Sequence, residues 1–171
     1  FYNKDMKFTV LTLFPHVFDS YLGESILRRA QEQKLISVQA VNIRDYSLDK
    51  HHSVDAKPYG GGAGMVLMAE PILKACGSIK SKLKSEKRKI IILSAKGKQF
   101  NQKMAYNISK KYQEIVFVSG RYEGIDERVK KILKAEEVSI GPYVLTDGDV
   151  AAMVVISAIS RLLPGVIRLE S

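Results

Sequence analysis

The stretch EIVFVSGRYEGIDERV, residues 114–129, decides how the rest of the chain is read. Residues 114–119 are an apolar, β-branched run of strand length. Residues 125–134 carry apolar side chains at helical spacing and predict a helix. Between them, GRYEG sets an arginine, a tyrosine and a glutamate between two glycines. Glycine lets a backbone turn sharply or come close to another group. The junction is therefore either strand-to-helix punctuation or the wall of a site. Glu123 and Asp126 near the start of a helix would be favoured by its dipole in either case. Arg128 can pair with either carboxylate.

Working outward, 7–13 reads as a first strand, stopped by Pro15, which suits the first turn of a helix. A helix is predicted over 25–33 and an alternating strand over 36–43. Residues 44–64 read as a long loop with two histidines and a glycine cluster; loops of that length in a compact domain are usually functional or disordered. A helix follows over 70–83, then a basic tract over 80–89, a buried strand over 89–93 and a loop over 94–98. A helix over 102–111 precedes the opening stretch. After it come a short strand over 137–140, a loop over 141–148, and a last helix capped by Asp149 and running to about 163, where Pro164 and Gly165 end it. Strands alternating with helices predict an α/β fold: a mostly parallel sheet flanked by helices on both faces.

The totals agree with one domain. The chain has 171 residues, of which 46% are hydrophobic, and one cysteine, Cys76. That excludes an internal disulfide and cysteine-pair zinc sites, and fits a reducing, cytoplasmic compartment. Residues 1–5 read as a cloning remnant before Met6 and are left out of the fold reasoning. The longest apolar stretch, 150–163, is too short to span a bilayer. The net charge of +9 and a pI near 9.6 favour an anionic partner, nucleic acid being the commonest.

Ligands of such sheets bind at the carboxyl ends of the strands. The loops 94–98, 119–124 and 141–148 all leave strand ends and all contain glycine, so they form a constellation. Common phosphate motifs fail. Residues 60–64 read GGGAG, but Met65 and Leu67 stand where a third glycine of the dinucleotide pattern would fall. Residues 95–98, AKGK, lack the spacing of a P-loop. His51 and His52 diverge on any regular element and lack evident metal partners. No nucleophile elbow for acyl transfer is present.

Taken together, LFP at 13–15, RD at 44–45, YGGGAGM at 59–65, GRYEGIDERV at 120–129, SIGPYVLTDGD at 139–149 and SRLLPGV at 160–166 resemble one family. It is the bacterial tRNA (guanine-N1)-methyltransferases, which modify guanine 37 next to the anticodon. The resemblance covers 6–166. It implies the SPOUT methyltransferase fold with a C-terminal deep trefoil knot, an obligate homodimer with shared active sites, and S-adenosyl-L-methionine as methyl donor. It further implies that Leu93, Ser94 and Ala95 line the adenine pocket. Gly120, Tyr122, Glu123 and Gly124 would form a second wall, and Ser139, Ile140, Gly141, Tyr143, Leu145 and Gly148 a third.

The same resemblance places Gly61 and Gly62 by the flipped target guanine and gives Arg161 the catalytic role of stabilising charge on O6. It implies a general-base aspartate beyond Ser171, with 167–171 the start of an interdomain linker and a tRNA-binding C-terminal domain absent from this chain. Glu170 is not expected to replace that base. Arg28, Arg29, Arg44 and Lys57 are candidate phosphate contacts. Magnesium is implied for the reaction, though no residue here marks its site. Residues 146–151, TDGDVA, depart from the family's usual TGGELP. Asp147 stands for a glycine, whose turn an aspartate can tolerate, and Ala151 stands for a proline. Alternatives are another SPOUT RNA methyltransferase or a non-catalytic RNA-binding module.

Overall fold

The computed structural model describes residues 5–57, 64–121 and 124–167. Five parallel strands form one sheet: β1 (Met6–Thr12), β2 (Ile36–Asn42), β5 (Arg88–Gln99), β6 (Glu114–Ser119) and β7 (Glu136–Ser139). Their order is β2-β1-β6-β5-β7. A separate two-stranded antiparallel ribbon pairs β3 (Asp55–Ala56) with β4 (Val66–Leu67). The helices are α1 (Phe18–Leu22), α2 (Ser25–Glu32), α3 (Ala69–Gly77), α4 (Gln102–Lys111), α5 (Arg128–Leu133) and α6 (Asp149–Ser160).

Strand side chains alternate between the two faces of a sheet, so a sheet covered on both sides needs apolar residues at successive positions. β6 lies at the centre and is buried along its whole length. Its Ile115 and Phe117 join Phe8, Val10, Ile91 and Val138 under α2, α4 and α6. Val116 and Val118 face the other way, with Leu11 and Ile92, under α3 and α5. Phe8 and Phe117 stack with ring centroids 6.2 Å apart. At the start of β6, Glu114 is 1% exposed and pairs with Arg88, its neighbour in register on β5.

The β3–β4 ribbon is not expected from the sequence, and four predicted elements differ in extent. Helix α3 stops at Gly77: Ser78 bonds back to the Ala75 carbonyl, and the alternating lysines beyond Ile79 offer no helical apolar stripe. The 94–98 loop is instead part of β5, which irregularly continues from Leu93 to Lys98 and pairs again with Val138 and Ser139. The helix after the opening stretch begins at Arg128 rather than 125, because Ile125 bridges Leu67 and the Asp126 N–H donates to the Leu67 carbonyl. Helix α6 ends at Ser160, and Leu162 and Leu163 tighten into turns. The 44–57 loop is ordered by its own polar residues: Asp49 accepts from the His51 and Ser53 N–H groups, and Ser47 Oγ donates to the Ser53 carbonyl.

Candidate functional site at the carboxyl edge of the sheet

Parallel strands bring every strand-to-helix junction to one edge, and there a cavity of about 1150 Å³ opens. Leu93, Ser94 and Ala95 on β5 line it, with Gly120 and Gly124 after β6. Ser139 at the end of β7, and Ile140, Tyr143, Leu145 and Gly148 after it, complete it. Gly141 is not among the lining residues; it shapes the wall from behind. Its carbonyl accepts from Ser139 Oγ at 2.8 Å and from the Tyr143 N–H at 2.9 Å. A Cβ at Gly141 would stand 2.3 Å from the Tyr143 ring. Tyr122, Glu123, Gly61 and Gly62 lie outside the described residues.

The walls are joined by hydrogen bonds that cross between elements. The Gly148 N–H donates to the Gly120 carbonyl at 2.9 Å. Next to it, Asp149 is buried, and its Oδ1 accepts from Thr12 Oγ1 at 2.8 Å and Ser119 Oγ at 2.6 Å. Thr12 Oγ1 in turn accepts the Phe14 N–H, and Arg121 lies over the Phe14 ring at 4.9 Å. LFP at 13–15 thereby touches the GRYEG wall. Asp149 was expected to cap α6; instead it is the first helical residue, and the Asp147 carboxylate accepts the Asp149 N–H at 2.9 Å. Asp147 is not among the residues with positive φ, so the glycine it replaces is not needed for the turn. Burial pushes the Asp149 carboxyl above the ordinary range, while the two hydroxyls pull it back in part.

Around the cavity lies a charged group that the sequence reading missed. Lys96 Nζ reaches Glu127 at 2.7 Å and Glu137 at 4.0 Å, and Lys130 Nζ reaches Glu137 at 3.6 Å. The Glu127 bond holds the Lys96 ammonium above its usual range and Glu127 below its own. Arg128 pairs with Asp126 at 2.7 Å and lowers that carboxyl. The Arg128–Asp126 pair is one of the two that the sequence offers, whereas Lys96, Glu127, Lys130 and Glu137 come from β5, β7 and the start of α5, and only the folded sheet brings them together. No sequence spacing signals them.

Of the remaining candidates, Lys57 lines the cavity and the others do not. Arg161 is the exposed residue just after α6. Arg28 pairs with Glu32 on α2, and Arg44 reaches the His52 carbonyl. Arg29 lies on α2. His52 Nδ1 donates to the Arg44 carbonyl at 3.0 Å, a loop contact. Among the described residues, no group of three or more His, Cys, Asp or Glu could hold a metal ion, and no helix is long and apolar enough to cross a membrane.

Known proteins resemble this chain throughout. A tRNA (guanine-N(1)-)-methyltransferase of Carboxydothermus hydrogenoformans is 50% identical over 162 residues, covering 95% of this chain and 62% of the relative. Its counterpart in Staphylococcus carnosus is 48% identical over 165 residues, covering 96% of this chain and 66% of the relative. This chain therefore spans about two thirds of the length of those relatives. The crystal structure of tRNA (m1G37) methyltransferase from Aquifex aeolicus superposes with a TM-score of 0.84 at 39% identity, covering 95% of this chain and 72% of that one. The family profile tRNA (Guanine-1)-methyltransferase matches residues 6–171, and the chain belongs to that family.

Proposed function

We propose that this chain is the donor-binding catalytic part of an enzyme that transfers a methyl group from S-adenosyl-L-methionine to N1 of guanine 37 in tRNA. The observation that carries the reading is the convergence of the far part of β5 and the glycine-bearing segments after β6 and β7 on one cavity at the carboxyl edge of the sheet. The residues suit such a donor. Backbone N–H and C=O groups can read an adenine edge where glycines permit close approach. Leu93, Ile140 and Leu145 supply apolar surface for the ring. Bound there, the donor would supply an activated methyl group.

The protein's part is mostly placement. Holding the two reactants in line accounts for much of the barrier reduction in such transfers. The charged group formed by Lys96, Glu127, Lys130 and Glu137 ties β5, β7 and α5 together beside the cavity. The proposed roles of Tyr122 and Glu123 on the donor side, and of Gly61 and Gly62 on the guanine side, rest on the motif match. N1 must lose a proton, and the base is assigned on the same ground to an aspartate C-terminal to Ser171. Arg161 would stabilise charge on O6. It lies at the far end of twelve-residue α6, about 20 Å from Gly148 by helical rise. That separation supports a homodimer in which Arg161 serves the partner's site. Passage of the last segment through the preceding loops as a trefoil knot is part of the same proposal. The described residues do not fit a protein-held magnesium site, and no step is routed through one.

Titration calorimetry of the chain with S-adenosyl-L-methionine tests the reading, with sedimentation to give its oligomeric state. Saturable binding by a dimer is the expected result. No binding by a well-folded chain would sink it.

A further inference from the structure

Asp149 is 4% exposed, yet it forms no ion pair among the described residues. Its Oδ1 is held by two neutral hydroxyls, those of Thr12 and Ser119. Two charged side chains influence it: Asp147, which opposes its ionisation, and Arg121, which favours it. For comparison, the other buried acid, Glu114, has a guanidinium directly against it. A carboxylate held by neutral donors keeps most of its field, because no cation among the described residues is paired with it at contact distance. A stitch between strand ends would need only an acceptor oxygen, which a neutral amide provides without the cost of burying charge. The helix N-terminus favours an acid at this position, but exposed side chains serve that purpose equally well. Gly148, which precedes Asp149 in the chain, and Ala151, two residues after it, line the cavity.

We propose that Asp149 is a charge-discriminating positioning residue: its carboxylate, fixed by Thr12 and Ser119 behind the cavity wall, favours a sulfonium ligand over the neutral thioether formed when the methyl group leaves. The inference rests on the donor reading above. In the transfer, the S–CH3 electron pair stays on sulfur as the new N–CH3 bond forms, so the ligand loses its positive charge. The attraction to Asp149 disappears with that charge, which favours release of the spent donor.

The test is calorimetric titration of the 171-residue chain and its Asp149→Asn variant with S-adenosylmethionine and with S-adenosylhomocysteine. Asparagine keeps an oxygen able to accept both hydroxyl bonds. The expected result is a donor-to-product affinity ratio about three- to tenfold lower in the variant. Product affinity should change by less than about twofold. Equal weakening of both ligands would mean a purely structural role and would overturn the inference. Failure of the unaltered chain to bind either ligand would overturn the donor reading, and this inference with it. If the variant does not fold, the unaltered chain still decides. Both ligands share their other ionisable groups, so their affinity ratio should rise as pH is raised through the titration of this carboxyl, which burial shifts above the ordinary carboxylate range. A flat ratio would overturn the proposal.

Discussion

Two junctions at the carboxyl edge of the sheet are closed by opposite means. Where β5 meets β7, Gly97 approaches the neighbouring backbone so closely that a Cβ would stand 2.5 Å from Glu137 C and Val138 N. No side chain fits, and the contact is between backbones. Where β6 meets α6, the gap is filled by a buried carboxylate and two hydroxyls. The first junction is specified by the absence of atoms and the second by their chemistry. They should therefore fail differently: the first under any enlargement, the second only under loss of a hydrogen-bonding oxygen.

Gly97→Val should have the largest effect. Backbone must move to admit the side chain, at a cost of about 3 kcal/mol read by chemical denaturation. The β5–β7 wall and donor binding should go with it; a variant of near-normal stability would show that the two strands can part. At the opposite edge of the sheet, Arg88→Ala leaves buried Glu114 without its partner. It should cost about 2–3 kcal/mol while leaving the donor affinity of the folded fraction unchanged. Ser119→Ala removes one of the hydroxyls on Asp149 and should cost about 1–2 kcal/mol, with weakened binding of donor and product alike.

Asp149→Asn is sharper, because its effect depends on pH. Burial raises the folded-state value of this carboxyl above that of the unfolded chain. The fold therefore holds the proton more tightly. The stability this contributes is complete below the unfolded value and is lost as pH rises through the folded one. Melting curves should show the variant gaining on the unaltered protein from acid to neutral pH. A gap that shrinks over that range would contradict the assignment. Lys96→Ala should do least. Lys96 and Glu127 are 66% and 70% exposed, so the pair contributes under about 1 kcal/mol, less at high salt.

The parts of the fold legible in the sequence are those set by local pattern. β6 is an unbroken apolar run because both of its faces are covered, and α4 carries Asn101, whose side chain caps it by accepting the Met104 N–H. What escaped was decided by contact. Gly97 reads as a loop glycine until β7 is beside it. Ile125 reads as helical until Leu67 claims it. Those motif residues that line the cavity do so because they lie on or just after strands of one parallel sheet. The Thr12, Ser119 and Asp149 network did not announce itself, because Asp149 lies 137 residues from Thr12 and 30 from Ser119, and only the fold joins them.

The strand order carries a consequence for synthesis. β1 pairs early with β2, but its other neighbour is β6, with Lys7 opposite Glu114. At roughly 5–20 residues per second, a ribosome needs on the order of 5–20 s to deliver that partner. During that interval the apolar row of Phe8 and Val10 borders an open strand edge, the kind of surface that templates aggregation. A nascent chain arrested at residue 111 should bind a holdase chaperone more strongly than one arrested after β6 has cleared the exit tunnel; equal binding would argue against this order of events. The most exposed moment for this sheet falls before its central strand exists.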